Sequence, residues 1–162
     1  MDSKRVGLGC SLGALLLVFL LPWASAQAPV REITQIVGDI YRFRNSNHYS
    51  IFAVTPEGII ATDPINADAA QWLKAESQKR FAKPVKYLIY SHDHADHIAG
   101  GEVFADTAVV VAHEIAKAAI LLKRHPTAVP QVTFSDRLSI ELGGTVVELS
   151  YVALQEGSCD KT

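Results

Sequence analysis

The string Ser91-His92-Asp93-His94-Ala95-Asp96-His97 directly follows the apolar run from Val85 to Tyr90, and it limits the fold more sharply than any other feature. Three of the chain's six histidines fall within six positions, with an aspartate among them. A metal shell tolerates little positional error, so such a cluster needs rigid backbone beneath it. A strand supplies that backbone. Side chains leaving an extended segment repeat every two residues, so His92, His94 and Asp96 are expected to point one way. His97 follows as the chain turns into Ile98-Ala99-Gly100-Gly101, and its altered direction reaches a second position. One short loop can then hold one or two ions. Imidazole and carboxylate donors without a thiolate suit zinc best, with iron or manganese the other candidates. The cluster sits at the C-terminal end of a buried strand, where α/β sheets open their binding crevices, and this favours an open catalytic site over a closed structural one.

The rest of the chain predicts an α/β layered domain with a sheet at its centre. Ile40 to Arg44 and Tyr49 to Val54 read as strands. The turn Pro56-Glu57-Gly58 then makes residues 49–62 a hairpin ending at Asp63. Continuous apolar character in these strands predicts burial on both faces. Asn66 caps a helix running to about Ala82, with Ala69, Trp72 and Leu73 on its apolar side and Pro84 beyond its end. Ala108 to Ala112 is a further buried strand. Residues 113–124 form a helix with Ile115, Ala119 and Leu122 as its apolar face. Leu138, Ile140 and Leu142, then Val147, Leu149 and Tyr151, alternate with polar residues around Gly143-Gly144. That pattern predicts a β-hairpin with one exposed face. After Val152 the patterning stops, and residues 153–162 read as a frayed tail.

At the other end, Lys4 and Arg5 precede an apolar stretch from Val6 to Leu21, then Pro22 and Ala24-Ser25-Ala26. This is the layout of a secretory signal peptide covering residues 1–26, so the expected location is periplasmic or secreted. The 16-residue stretch, broken by three glycines, falls short of the ~20 residues that span a bilayer, so no stable membrane anchor is expected after cleavage. Without residues 1–26 the chain carries 13 basic and 16 acidic residues over 136 positions. That length supports one core, residues 27–152, and not two domains. A near-neutral balance with no basic block gives no footprint for a phosphate backbone, so no nucleic-acid partner is expected. Cys159 is then the sole thiol, which rules out an internal disulfide.

The H-x-H-x-D-H string at 92–97, the glycine pair 100–101, the strand before them and the hairpin ending in Thr62-Asp63 together resemble the metallo-β-lactamase superfamily of metal-dependent hydrolases. The resemblance covers roughly residues 30–152. It implies an αβ/βα sandwich, a mixed sheet with flanking helices, whose site lies at the edge of two packed sheets. It also implies that His92 and His94 serve a first metal and that Asp96 and His97 serve a second. Asp96 would be catalytic, orienting the attacking water and taking up its proton. The implied reaction is attack on the carbonyl of a small-molecule ester, thioester, lactone or amide, β-lactams included.

In relatives a further His follows a strand like residues 145–152, and a bridging Asp and a last His come later; this sequence has no His after His125. The expectation is therefore an N-terminal portion of the sandwich, shortened by a frame change or early stop. Cys159 and Asp160 stand in an unpatterned tail and are poor substitutes. Two alternatives stay open: a catalytically inactive metal-binding remnant, and a di-iron redox protein of the same fold. A half sandwich exposes an apolar sheet face, which predicts self-association. Among the remaining polar residues, Asp63 either orients a ligand His or caps the turn at Pro64. His48 is expected to be solvated, with the mouth of a substrate cleft as the other reading. His113 and His125 are expected to be structural or surface groups, and Asp93 to support the loop.

Overall fold

The computed structural model describes residues 28–152, so the signal segment and residues 153–162, Cys159 and Asp160 among them, lie outside the described residues. The chain opens with four antiparallel strands, β1 (Arg31–Val37), β2 (Ile40–Asn45), β3 (His48–Thr55) and β4 (Gly58–Thr62). Helix α1 (Ala67–Phe81) then crosses over to β5 (Val85–Ile89), which runs parallel to β4. The histidine-rich loop leads into a one-turn helix, α2 (Ala95–Ile98), and a 3-10 turn at Gly101–Phe104. Strand β6 (Val109–His113), helix α3 (Glu114–Lys123) and β7 (Val132–Phe134) follow, with β6 and β7 continuing the parallel half. The seven strands form one mixed sheet in chain order, and β8 (Arg137–Leu142) pairs with β9 (Thr145–Ser150) in a second, separate sheet.

Strand parity explains why this sheet has two dry faces. On β4, β5 and β6, Ile59, Ala61, Leu88, Val110 and Ala112 turn toward α1 and α3 and join the main core with Phe43, Leu73 and Phe104. Their neighbours Ile60, Ile89 and Val111 point the other way and meet Ile140 of the β8–β9 hairpin, with Leu138, Leu142, Val147 and Leu149 packed around them. Alternate residues on one strand therefore serve two different cores, which is why the sequence runs are continuously apolar. The hairpin keeps a polar outer face, with Ser139 bonded to Glu148 across it. Its turn places both Gly143 (φ 54°) and Gly144 (φ 80°) in the left-handed region that a two-residue turn of this hand demands.

Helix α1 begins where Asn66 Oδ1 accepts from the Ala69 amide at 2.8 Å, and it ends in a left-handed Ala82. Helix α3 departs from its expected orientation. Ala116 and Ile120 are its buried residues, whereas Ile115 is 57% and Leu122 84% exposed. Both stripes are apolar, and the sheet takes the one with small Ala116 in it, which lets the helix approach closely. Strands β1 and β7 are absent from the sequence reading. Each is an edge strand paired on one side only, so neither needs the apolar run that marks a central strand.

Candidate metal centre

Strands β4 and β5 end side by side, and their ends carry the chemistry. The residue after β4, Asp63, bonds through its amide to the carbonyl of Ile89 at 3.0 Å, which sets its carboxylate beside the start of the histidine loop. That side chain is 8% exposed. Its Oδ1 accepts from the Ser91 amide at 2.8 Å, and Oδ2 accepts from Ser91 Oγ at 2.5 Å. The same Oδ2 lies 3.1 Å from His97 Nδ1. Ser91 Oγ in turn lies 2.8 Å from His92 Nδ1.

This chain has one consistent set of protons. Ser91 gives its only hydroxyl proton to the carboxylate, so its oxygen accepts from His92 Nδ1–H, while His97 Nδ1–H donates to Asp63 directly. Both imidazoles then carry their proton on Nδ1 and leave Nε2 with a free lone pair. That is how orienting carboxylates prepare metal-binding histidines. Burial, with the neighbouring His97 adding to it, lowers the His92 pKa and so favours the neutral, ligand-competent ring. Of the two roles open to Asp63, the structure shows the orienting one. Asp63 sits at φ 29°, in the left-handed region that aspartate tolerates better than most residues.

Asp63, His92 and His97 bring ligand atoms to within 4.8 Å of one another. The rings of His92 and His97 are 4.2 Å apart between centroids, and those of His92 and His94 are 4.6 Å apart. Imidazole and carboxylate groups gathered this closely fit a metal ion, with Asp63 acting through the histidines it orients and not as a donor itself. His94 and Asp96 belong to the same loop but face outward, and the Asp96 side chain is 61% exposed. The extended backbone expected to run through Asp96 gives way to α2 at Ala95, so helical rotation and not strand alternation sets the directions of Asp96 and His97. Asp96 stays ionised: its own backbone N–H and then His48 hold its carboxyl below the usual range.

His48 is solvated as expected, its side chain 43% exposed, and from the start of β3 its Nε2 also stands 3.3 Å from Asp96 Oδ2. Asp93 pairs with Lys123 of α3 and supports the loop as expected. His113 is structural: it caps α3 through Nδ1 and meets the Ser135 carbonyl through Nε2 at 2.8 Å. Ser91 carried no role in the sequence reading, although a hydroxyl directly before the first histidine is the available signal for one.

The loop is braced from behind. A Cβ on Gly100 (φ 90°) would come within 2.5 Å of the Asn66 backbone, and one on Gly101 within 1.8 Å of the Tyr90 hydroxyl. Tyr90 bonds Thr127 Oγ1 at 2.9 Å and the Ala128 carbonyl at 3.0 Å, and Thr127 donates to the carbonyl of Ile98 at the end of α2. The glycine pair thus lets the loop lie flat against this clamp. Beside His92 a cleft of about 630 Å³ opens, with Ser91 and Asp93 on its polar side and Ile115, Phe134 and Tyr151 on its apolar side. A second cleft of about 480 Å³, between Gln71, Lys74 and Val103, touches none of the loop residues.

Comparison with known proteins agrees with this architecture. Residues 61–158 match the Metallo-beta-lactamase superfamily. The chain superposes on a metallo-beta-lactamase from Pontibacter korlensis with a TM-score of 0.64 at 23% identity, covering 74% of this chain and 59% of that one. It superposes on the native FEZ-1 metallo-beta-lactamase from Legionella gormanii with a TM-score of 0.59 at 26% identity, covering 74% and 51%. Over 106 residues it is 33% identical to the 2,4-dinitroanisole O-demethylase subunit alpha of Nocardioides sp. (strain JS1661), or 62% of this chain and 32% of that protein. The chain thus spans about a third of that relative's length and little more than half of the two solved structures. The match over most of the domain and the histidine loop standing at the sheet's edge place the chain in the metallo-beta-lactamase superfamily.

Proposed function

We propose that this protein is a zinc-dependent hydrolase acting on a small molecule with an activated carbonyl: an ester, thioester, lactone or amide, β-lactams included. The observation that carries this reading is the line His92, Ser91, Asp63, His97, which leaves Nε2 of both rings free to bind and sets His92 in the wall of a cleft. His92 and His94 would hold a first ion, Asp96 and His97 a second. When bound, zinc supplies polarisation of the carbonyl and a water acidified to near neutrality. The chain's own residues do the rest. Ionised Asp96 orients the attacking water and takes up its proton, while the cleft beside His92 seats the substrate against Phe134 and Tyr151. A relative whose name describes O-demethylation of 2,4-dinitroanisole supports extending the substrate panel to activated aromatic compounds. The segment Lys4 to Ala26 supports export before folding, with a periplasmic or secreted destination.

The test is hydrolysis by the zinc-loaded full chain across such a panel, with the His92→Ala/His94→Ala double variant as control. Turnover that is lost in the control is expected. Turnover unchanged in the control would place the chemistry elsewhere, and no turnover at all would leave the second reading, a metal-binding protein without catalysis.

A further inference from the structure

We propose that the cleft beside His92 selects a neutral aryl group, so that the substrate of this site carries an uncharged aromatic ring next to the bond that is broken. The inference rests on the reading that this cleft seats the substrate. Its ground is a set of three rings at one end of the sheet. His113 and Phe134 end β6 and β7 and face each other across those parallel strands, at the edge where the histidine loop leaves β5. Their rings meet edge to face, 5.4 Å apart between centroids at 88°. Tyr151, just past β9, lays its ring flat on His113 at 4.0 Å and 18°, and its amide bonds the Asp136 carbonyl at 2.8 Å. All three residues line the cleft. His113 covers one face of the Tyr151 ring, yet Tyr151 is still 44% exposed, so the other face is open. A planar ring entering there continues the stack in the offset geometry that aromatic pairs prefer.

The charges of the cleft decide what that ring can carry. His113 Nδ1 accepts from the Ile115 amide at 3.2 Å, and Nε2 meets the Ser135 carbonyl at 2.8 Å. Its single proton therefore sits on Nε2 and the ring is neutral. Asp93 is the carboxylate of the lining, and it is already paired with Lys123 of α3. Among the described residues that line the cleft, no Lys or Arg stands ready to receive an anion. A carboxylate carried in on the ring would lose its water, face Asp93 and find no partner, whereas an uncharged ring meets no such cost. Ile115 and Phe134 supply apolar wall, and about 630 Å³ is ample for one six-membered ring with its acyl group attached.

The test is the binding of three probes, phenylacetamide, cyclohexylacetamide and 4-carboxyphenylacetamide, to the full chain, followed by nuclear magnetic resonance of its aromatic side chains. Metal is first removed by chelation, so that no probe carboxylate is drawn to an ion. Phenylacetamide is expected to bind about two- to tenfold more tightly than cyclohexylacetamide, whose ring has as many carbons but no π face. It is expected to bind at least about tenfold more tightly than 4-carboxyphenylacetamide. Tyr151→Phe should keep this order, and Tyr151→Leu should bring the two neutral probes level. Thermal melts matching the natural chain confirm that both variants fold; if Tyr151→Leu melts early, the order of the three probes on the natural chain still decides. Equal affinity of the two neutral probes, a carboxylate probe that binds as tightly as phenylacetamide, a preference that survives in folded Tyr151→Leu, or no binding of phenylacetamide up to its solubility would each overturn the proposal. The hydrolysis panel above tests the function separately. Turnover without an aryl preference in binding leaves that function standing and overturns this inference, whereas the preference without turnover leaves the ring site standing and removes the reaction assigned to it.

Discussion

His92, through Ser91, and His97, directly, are tied to a buried carboxylate, whereas His94 and Asp96, within the same six positions, face solvent, and among the described residues Asp96 meets only the His48 side chain. The difference is one of preparation. The inner pair has its protons placed and its rings held before any ion arrives. The outer pair is exposed and makes few contacts. Under the proposed function the braced pair is expected to govern metal affinity and the exposed pair turnover, and the two should separate under mutation.

The largest effect is expected from Asp63→Ala, which leaves the Ser91 amide, the Ser91 hydroxyl and His97 Nδ1 without their acceptor. With each lost bond to a charged group worth about 1.5–3 kcal/mol, stability should fall by roughly 3 kcal/mol or more and zinc affinity by about 10- to 100-fold. Denaturant midpoints and chelator competition read both. Unchanged zinc affinity would show that the inner pair is not prepared by this carboxylate.

Next in size is Gly101→Ala, whose new methyl would overlap the Tyr90 hydroxyl and Thr127 Oγ1. Overpacking of this kind costs about 1–3 kcal/mol. In a Tyr90→Phe background the same change should cost measurably less, because the closest atom has gone. Strict additivity in the double-mutant cycle would disprove the clamp.

A smaller, pH-dependent effect belongs to Tyr90 itself, whose pKa burial pushes up to about 12 from an ordinary value of 10.0. The folded state holds this proton more tightly than the unfolded state, so its stabilising contribution is complete below pH 10 and fades as pH rises toward 12. Denaturation midpoints of the natural chain should therefore fall more steeply between pH 10 and 11.5 than those of Tyr90→Phe. Parallel curves would refute the assignment.

The smallest structural effect is expected from Asp96→Ala. Removing a solvent-facing side chain should shift stability by no more than about 0.5 kcal/mol, yet it should abolish turnover of any substrate the zinc-loaded chain hydrolyses. Destabilisation comparable to that of Asp63→Ala would erase the distinction between the inner and outer pairs.

Much of this arrangement is legible without coordinates. The cap at Asn66, the turn at Gly143-Gly144 and the continuous apolar runs of β4 to β6 all act through local rules, and each appears where those rules put it. What escaped is equally specific. Among the described residues strand β1 has one sheet neighbour, β2, and its Ile33, Ile36 and Val37 make no continuous apolar run. In α3, Ile115, Ala119 and Leu122 and the pair Ala116 and Ile120 form two apolar stripes on ten residues, and periodicity does not say which one meets the sheet. The backbone change at Ala95 redirected Asp96 and His97, because an extended period of two gave way to a helical turn.

The sequence by itself determined the histidine- and aspartate-rich loop and the α/β frame that presents it, because strand periodicity, helix caps and the H-x-H-x-D-H spacing are all short-range. Only the tertiary structure decided which partners each of these side chains meets. Asp63 lies 28 residues from Ser91 and 34 from His97, and His48 lies 48 from Asp96. Those contacts exist because β3, β4 and β5 are neighbours in one sheet, and strand pairing across such separations follows from the packing of the whole core.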